Sequence, residues 1–241
     1  MNHVTKRANA GFTIIELLLA MSFVAALLLA VALTIVQIGT IYNKGMTLKE
    51  VNQTGRVISD DIRRSIAESS AFDASTSFLP VLSGGREIGG RLCTGQVSYV
   101  WNYAWAIQAN ERDIIGYESN DDTIRLLKIP DGASAYCAQS GTGFVYSEVR
   151  PVDALEATEL LRQGDRTLSI HQMSLVEPPN GDDSLTGQRL FTVSFTIGSG
   201  DTTALNTERT ACLPPGEANA NFAYCAVQQF TLVTRAGNRV N

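Results

Sequence analysis

The sequence is short of the groups that usually carry chemistry. It has two histidines, His3 and His171. Because His3 precedes a long apolar run, a Ser-His-Asp arrangement would depend on His171 alone. That residue sits in an alternating, strand-like stretch with no nucleophile elbow or partner carboxylate in sight, so it reads as structural or solvated. No GxxxxGK[ST] motif occurs, so ATP-driven work would fall to a separate protein. No run of Lys or Arg occurs either, and the formal net charge is -5. The basic footprint of a nucleic-acid binder is therefore missing. Four cysteines, Cys93, Cys137, Cys212 and Cys225, include no CxxC pair of the kind that holds zinc. Asn180, Asp182 and Asp183 cluster without EF-hand spacing and read as a solvated turn rather than a calcium site. No metal, cofactor or enzymatic activity is expected.

What the chain does have is concentrated near its start. From Ile14 to Val36 only Glu16 is charged, and the uncharged stretch then runs on to Asn43 before Lys44. As a helix, Ile14 to Val36 would span roughly 35 Å, enough to cross a hydrocarbon core of about 30 Å. Lys6 and Arg7 precede it with no acid until Glu16, which by the positive-inside rule puts the start of the chain in the cytoplasm and the bulk outside. A secretory signal cut after Ala30-Val31-Ala32 competes with this reading, but the apolar stretch continues past Ala32 through Leu33, Ile35, Val36, Ile38 and Ile41. A carboxylate inside the membrane costs about 2.5 to 3.5 kcal/mol at a helix centre and less near its end. A plain anchor has no use for Glu16, although it could snorkel to the interface without a partner.

Gly11-Phe12-Thr13-Ile14-Ile15-Glu16-Leu17, after a short basic leader and before an apolar helix, resembles the processing motif of type IV pilins and type II secretion pseudopilins. The resemblance implies cleavage by a prepilin peptidase between Gly11 and Phe12, N-methylation of Phe12, and a Glu16 that is fifth in the mature chain. In that family the glutamate is thought to meet the terminal amine of a neighbouring subunit during assembly, as a registry device. The implied partners are the peptidase, other major and minor pilins, the membrane, and an inner-membrane assembly platform with its own ATPase. Major pilins commonly carry a proline in the middle of this helix, where this chain reads Val31-Ala32-Leu33-Thr34. That departure points to a minor pilin or a pseudopilin, and together with the size and the strand-rich domain it looks most like a larger minor pilin, W-like or J-like. The nearest alternative is a J-type pseudopilin, and a membrane-anchored exported binding protein or enzyme is the third reading. The implied location is the cytoplasmic membrane with the C-terminal domain exported, then a pilus at the cell surface.

Beyond Lys44 the pattern turns amphipathic. Leu48, Val51, Ile58, Ile62 and Ile66 share a helical face, while Lys49, Glu50, Arg56, Asp60, Arg63 and Arg64 point away. Ser69-Ser70 and the run from Asp73 to Ser77 supply a stop and a loop. Val97, Tyr99, Trp101, Tyr103, Trp105 and Ile107 then alternate with smaller or polar residues, predicting one strand with an aromatic, core-filling face. Further strands are expected at Thr123 to Ile129, Gly143 to Val149, Thr167 to Val176, Arg189 to Ile197 and Val227 to Thr234. A short helix is expected at Asp153 to Gln163. The fold class is α+β, with a long N-terminal helix packed on a mostly antiparallel sheet domain. The expected layout is a leader at 1–11, a membrane-spanning helix at 12–43, its amphipathic continuation at 44–70 and a β-rich domain at 71–241.

Four cysteines permit three connectivities, of which the sequential pairs Cys93–Cys137 and Cys212–Cys225 are preferred over the others and over four buried thiols. By loop entropy they would contribute roughly 4 and 3 kcal/mol. The second pair encloses Leu213-Pro214-Pro215-Gly216 and resembles the variable C-terminal loop of pilins.

Overall fold

The computed structural model describes residues 12–109, 116–117, 120–141, 143–161, 167–179 and 181–238. The expected leader at 1–11 lies outside them. The chain divides into two units between Asn43 and Lys44.

In the first unit the backbone is helical from Ile14, the start of α1 (Ile14–Ala67). Every side chain from Phe12 to Gly39 is exposed, and the helix is long and apolar enough to cross a membrane. Three of its hydroxyls are satisfied from within: Ser22 Oγ donates to Leu19 O at 2.9 Å, Thr34 Oγ1 to Ala30 O at 2.9 Å and Thr40 Oγ1 to Val36 O at 3.1 Å. Such back-bonding suits a segment that has no water to offer as a partner.

In the second unit the C-terminal part of α1 buries Thr47, Val51, Gly55, Ile58, Ile62, Ser65 and Ile66. Steps of three and four residues keep these on one stripe. Leu48, expected on that stripe, is exposed, and Thr47 takes the buried place. After the helix, Asp73 caps a single turn, α2 (Ala74–Ser77), by accepting from Ser75 N at 2.8 Å. A loop alone was expected there.

Two antiparallel meanders follow. The first sheet consists of β1 (Phe78–Ser83), β2 (Arg86–Cys93), β3 (Val97–Asn102), β4 (Leu126–Pro130) and β5 (Thr158–Glu159), in that spatial order. The second consists of β6 (Leu168–Val176), β7 (Arg189–Ser199) and β8 (Val227–Ala236), also in chain order. The first two strands were not expected; their stretch of chain holds two Gly-Gly pairs, a dipeptide that usually marks a turn. Gly84-Gly85 is one: both have positive φ, +56° and +81°, as a two-residue hairpin loop between Ser83 and Arg86 demands. Gly89-Gly90 is not. It lies inside β2 opposite Trp101 and Asn102, and a Cβ on Gly90 would sit 2.4 Å from the Trp101 ring. Glycine is there to make room for the indole.

The helix stripe and the two sheets share one core, which joins Ile58, Ile62 and Ile66 with Tyr99, Trp101, Phe191 and Phe195. Val100, Leu127 and Ile129 build a second core with Cys93, Tyr136 and Val149. Alternate residues of β3 thus serve both cores, and five of its six residues are buried. A polar clamp fixes the helix on the sheet. Tyr99 Oη donates to Asp61 Oδ2 at 2.6 Å and lies 2.7 Å from Ser65 Oγ, while Lys128 Nζ meets Asp61 Oδ1 at 2.7 Å.

Three local expectations are corrected. The strand from Val97 ends at Asn102. Tyr103 N turns instead to Ile88 O at 2.8 Å, and α3 (Ala104–Ala109), rich in alanine, carries Trp105 and Ile107 onward. In the stretch expected to be a strand from Gly143 to Val149, only Gly143–Phe144 is a strand, in a hairpin with Gln139–Ser140. The expected helix at Asp153 to Gln163 starts earlier and stops sooner, as α4 (Pro151–Ala154). Pro151 supplies the helix start. Glu159, in β5, instead pairs with Leu127, and its carboxylate accepts the backbone N–H groups of Arg125 and Leu126 at 3.0 and 2.8 Å.

Candidate functional site

The start of α1 is built by two residues. Thr13 N and Thr13 Oγ1 each donate to Glu16 Oε2 at 3.0 Å, and Glu16 N donates to Thr13 Oγ1 at 3.3 Å. This is a reciprocal capping box, which satisfies donors that a helix start otherwise leaves open. The sequence carries the signal for it, Thr-x-x-Glu ahead of an apolar run. Glu16 Oε1 makes no hydrogen bond among the described residues. Phe12, directly before the box, is exposed. Gly11, on the other side of the expected cleavage point, lies outside the described residues.

Both disulfides have the sequential connectivity: Cys93–Cys137 at 1.99 Å and Cys212–Cys225 at 2.05 Å. The Cys212–Cys225 loop docks on the globular part of α1, where Lys44 Nζ donates to Cys225 O at 2.6 Å and Thr47 Oγ1 to Ala223 O at 3.3 Å. Phe222, 5.2 Å from Lys44 Nζ, and Tyr224 remain half exposed. The Cys93–Cys137 excursion is held by a residue with no sequence signal. Arg91 is buried in β2 and donates through Nη1 to Tyr136 O at 2.5 Å and Tyr146 O at 2.7 Å, with its guanidinium 3.7 Å from the Phe144 ring centre. Burial pulls its pKa down to about 10.

The acidic side chains of this loop turn to partners within the protein. Asp183 Oδ1 accepts from Leu185 N at 2.9 Å. Asp182 Oδ1 lies 3.5 Å from Arg189 Nε, and the same guanidinium lies 3.4 Å from Asp73 and 3.6 Å from Glu177. Asn180 lies outside the described residues. Among the described residues no group of three His, Cys, Asp or Glu side chains is placed to hold a metal.

His171 is buried at a bulge in β6, with Nε2 3.1 Å from Ser199 O. Burial pushes its pKa down to about 4. Among the described residues its Nδ1 has no partner, so no carboxylate there orients the ring as a triad base. Comparison of the chain with models of protein families, with curated proteins and with solved structures found no match. A functional reading of the start of α1 therefore rests on its own residues.

Proposed function

We propose that this chain is a minor pilin of a type IV pilus, cut by a prepilin peptidase between Gly11 and Phe12 and carried into a filament by its N-terminal helix. The observation that carries the reading is Glu16: one carboxylate at the head of a helix that exposes apolar side chains on every face. Such a surface needs lipid before assembly and the helices of other subunits afterwards. Cleavage would create a cationic amine on Phe12. Glu16 Oε2 is already engaged by Thr13, and Oε1 is open to receive that amine from a neighbouring subunit. In a low dielectric an unpaired charge is costly and a paired one far less so, so the pair favours one register between helices over others.

On this reading Phe12 is also the N-methylated residue, and the chain passes from the inner membrane to the cell surface through an assembly platform whose ATPase is a separate protein. The test is Glu16→Ala. It is expected to leave membrane insertion intact and to reduce the subunit in sheared filaments by about tenfold or more, the scale of one lost charge-assisted contact. Normal incorporation would contradict the registry role. The lack of proline from Phe12 to Asn43 also suits a J-type pseudopilin. Deletion distinguishes the two: loss of surface pili supports the pilus, and loss of protein secretion with pili intact supports the secretion filament.

A further inference from the structure

Within the globular unit a cleft of about 390 Å³ opens over the second sheet, within the size range of small-ligand sites. Its floor is polar. Gln172 and Ser174 of β6, Ser194 and Thr196 of β7 and Gln229 of β8 all border it, and cross-strand pairing places Gln172 beside Thr196, Ser174 beside Ser194 and Thr196 beside Gln229. A row of side-chain amides and hydroxyls is thus presented on one face.

Two guanidinium groups stand at the wall. Arg86, from the start of β2, lies 3.4 Å from the centre of the Trp105 ring, and Arg209 lies 5.6 Å from it. Among the described residues neither is in an ion pair with a carboxylate. Burial, and after it the charge of Arg86, lowers the pKa of Arg209. Arg209 is held there by its loop. Its φ is +57°, its N–H donates to Asn206 O at 2.9 Å, and Gln172 Nε2 ties the loop to β6 through Glu208 O at 3.3 Å. His171, 3% exposed, also borders the cleft, and its Nδ1 is buried without a partner among the described residues.

Two forked cations that share a cleft without an ion pair to a carboxylate among the described residues can take one from a ligand. Glu87, also on the cleft, disfavours a dianion such as phosphate and supplies an acceptor for ligand hydroxyls. The hydroxyl and amide floor suits a polyhydroxylated body. It does not suit a peptide, whose backbone is normally satisfied by a free strand edge rather than by the face of a sheet. We infer that the cleft bounded by Arg86, Trp105 and Arg209 binds an acidic sugar, a hexuronate or a glycan ending in one, with the two arginines on its carboxylate and the sheet face on its hydroxyls. This goes beyond the filament reading and stands or falls separately from it.

The test is titration of the full chain, in micelles of a sugar-free detergent, with D-glucuronate, glucose, acetate, inorganic phosphate and triglutamate. Glucuronate is expected to bind about tenfold or more tightly than glucose, acetate or phosphate. It is expected to weaken by about tenfold in Arg86→Gln and in Arg209→Asn, the scale of one lost charge-assisted hydrogen bond. Asparagine tolerates the left-handed backbone at 209, and Arg86 is exposed, so both variants keep the fold, which circular dichroism checks. Glucuronate binding no tighter than glucose, no detectable glucuronate binding, or unchanged affinity in both folded variants would overturn the proposal. Triglutamate binding more tightly than glucuronate would overturn the sugar assignment in favour of an acidic protein partner.

Discussion

Helix α1 runs through two unlike environments. From Phe12 to Gly39 its leucines, isoleucines and valines are exposed all round, whereas Val51, Ile58, Ile62 and Ile66 are wholly buried in a stripe against two sheets. The polar groups differ in the same way. Glu16 and Thr13 satisfy each other at the helix start, while Asp61 and Ser65 reach across to Tyr99 and Lys128. A helix whose contacts are all on one stripe is finished within its own chain. A helix that is apolar on every side is finished only by lipid or by other helices.

The sharpest way to break this comparison is to truncate one residue from each region. Ile62→Ala should cost the globular unit roughly 2 to 5 kcal/mol, the usual range for emptying a packed site. Leu27→Ala should shift the same denaturation transition by less than about 0.5 kcal/mol. Urea unfolding in detergent compares the two, and similar costs would contradict the division.

Disulfide removal asks how far the globular unit supports itself. Replacing Cys93 and Cys137 by serine should cost about 4 kcal/mol and replacing Cys212 and Cys225 about 3 kcal/mol, by loop closure. Thermal melting of each double variant would show the order.

Acid should act on the globular unit through His171. Its folded pKa, about 4, lies below the 6.5 of the free ring, so protonation favours the unfolded chain. The stability held by the neutral ring is complete above about pH 6.5 and is lost as pH falls toward 4, by roughly 3 kcal/mol. His171→Gln should flatten the stability profile across that window, and an unchanged slope would assign it to other groups.

Two glycines of the same helix give the smallest contrast. A Cβ on Gly55 would lie 2.1 Å from the Phe230 ring, whereas one on Gly39 meets nothing. Gly55→Ala should therefore cost about 1 to 3 kcal/mol by overpacking, less whatever the ring yields by shifting. Gly39→Ala should gain about 1 kcal/mol of helix stability, read as helicity on heating.

The parts of the fold written in local periodicity were legible. The amphipathic stripe and the three long strands of the second sheet lie close to where their spacing put them, and the cysteines pair in the preferred order. What sequence reading missed was set by distant partners. Gly89-Gly90 is strand because Trp101 needs the space, Glu159 leaves a helix to cap β4 backbone donors, and buried Arg91 answers two carbonyls more than forty residues away. At the start of α1 the Thr13–Glu16 box was local and could have been read. The Arg86, Trp105 and Arg209 cluster could not, because three separate elements bring it together.

On the proposed reading Phe12 becomes the first residue of the working protein, with Glu16 four residues behind it. Intact-mass measurement of the protein purified from its native membrane tests this most directly. The expected mass lacks residues 1–11 and carries one added methyl group on Phe12. A mass that retains those residues, or one that begins after Ala32, would contradict it.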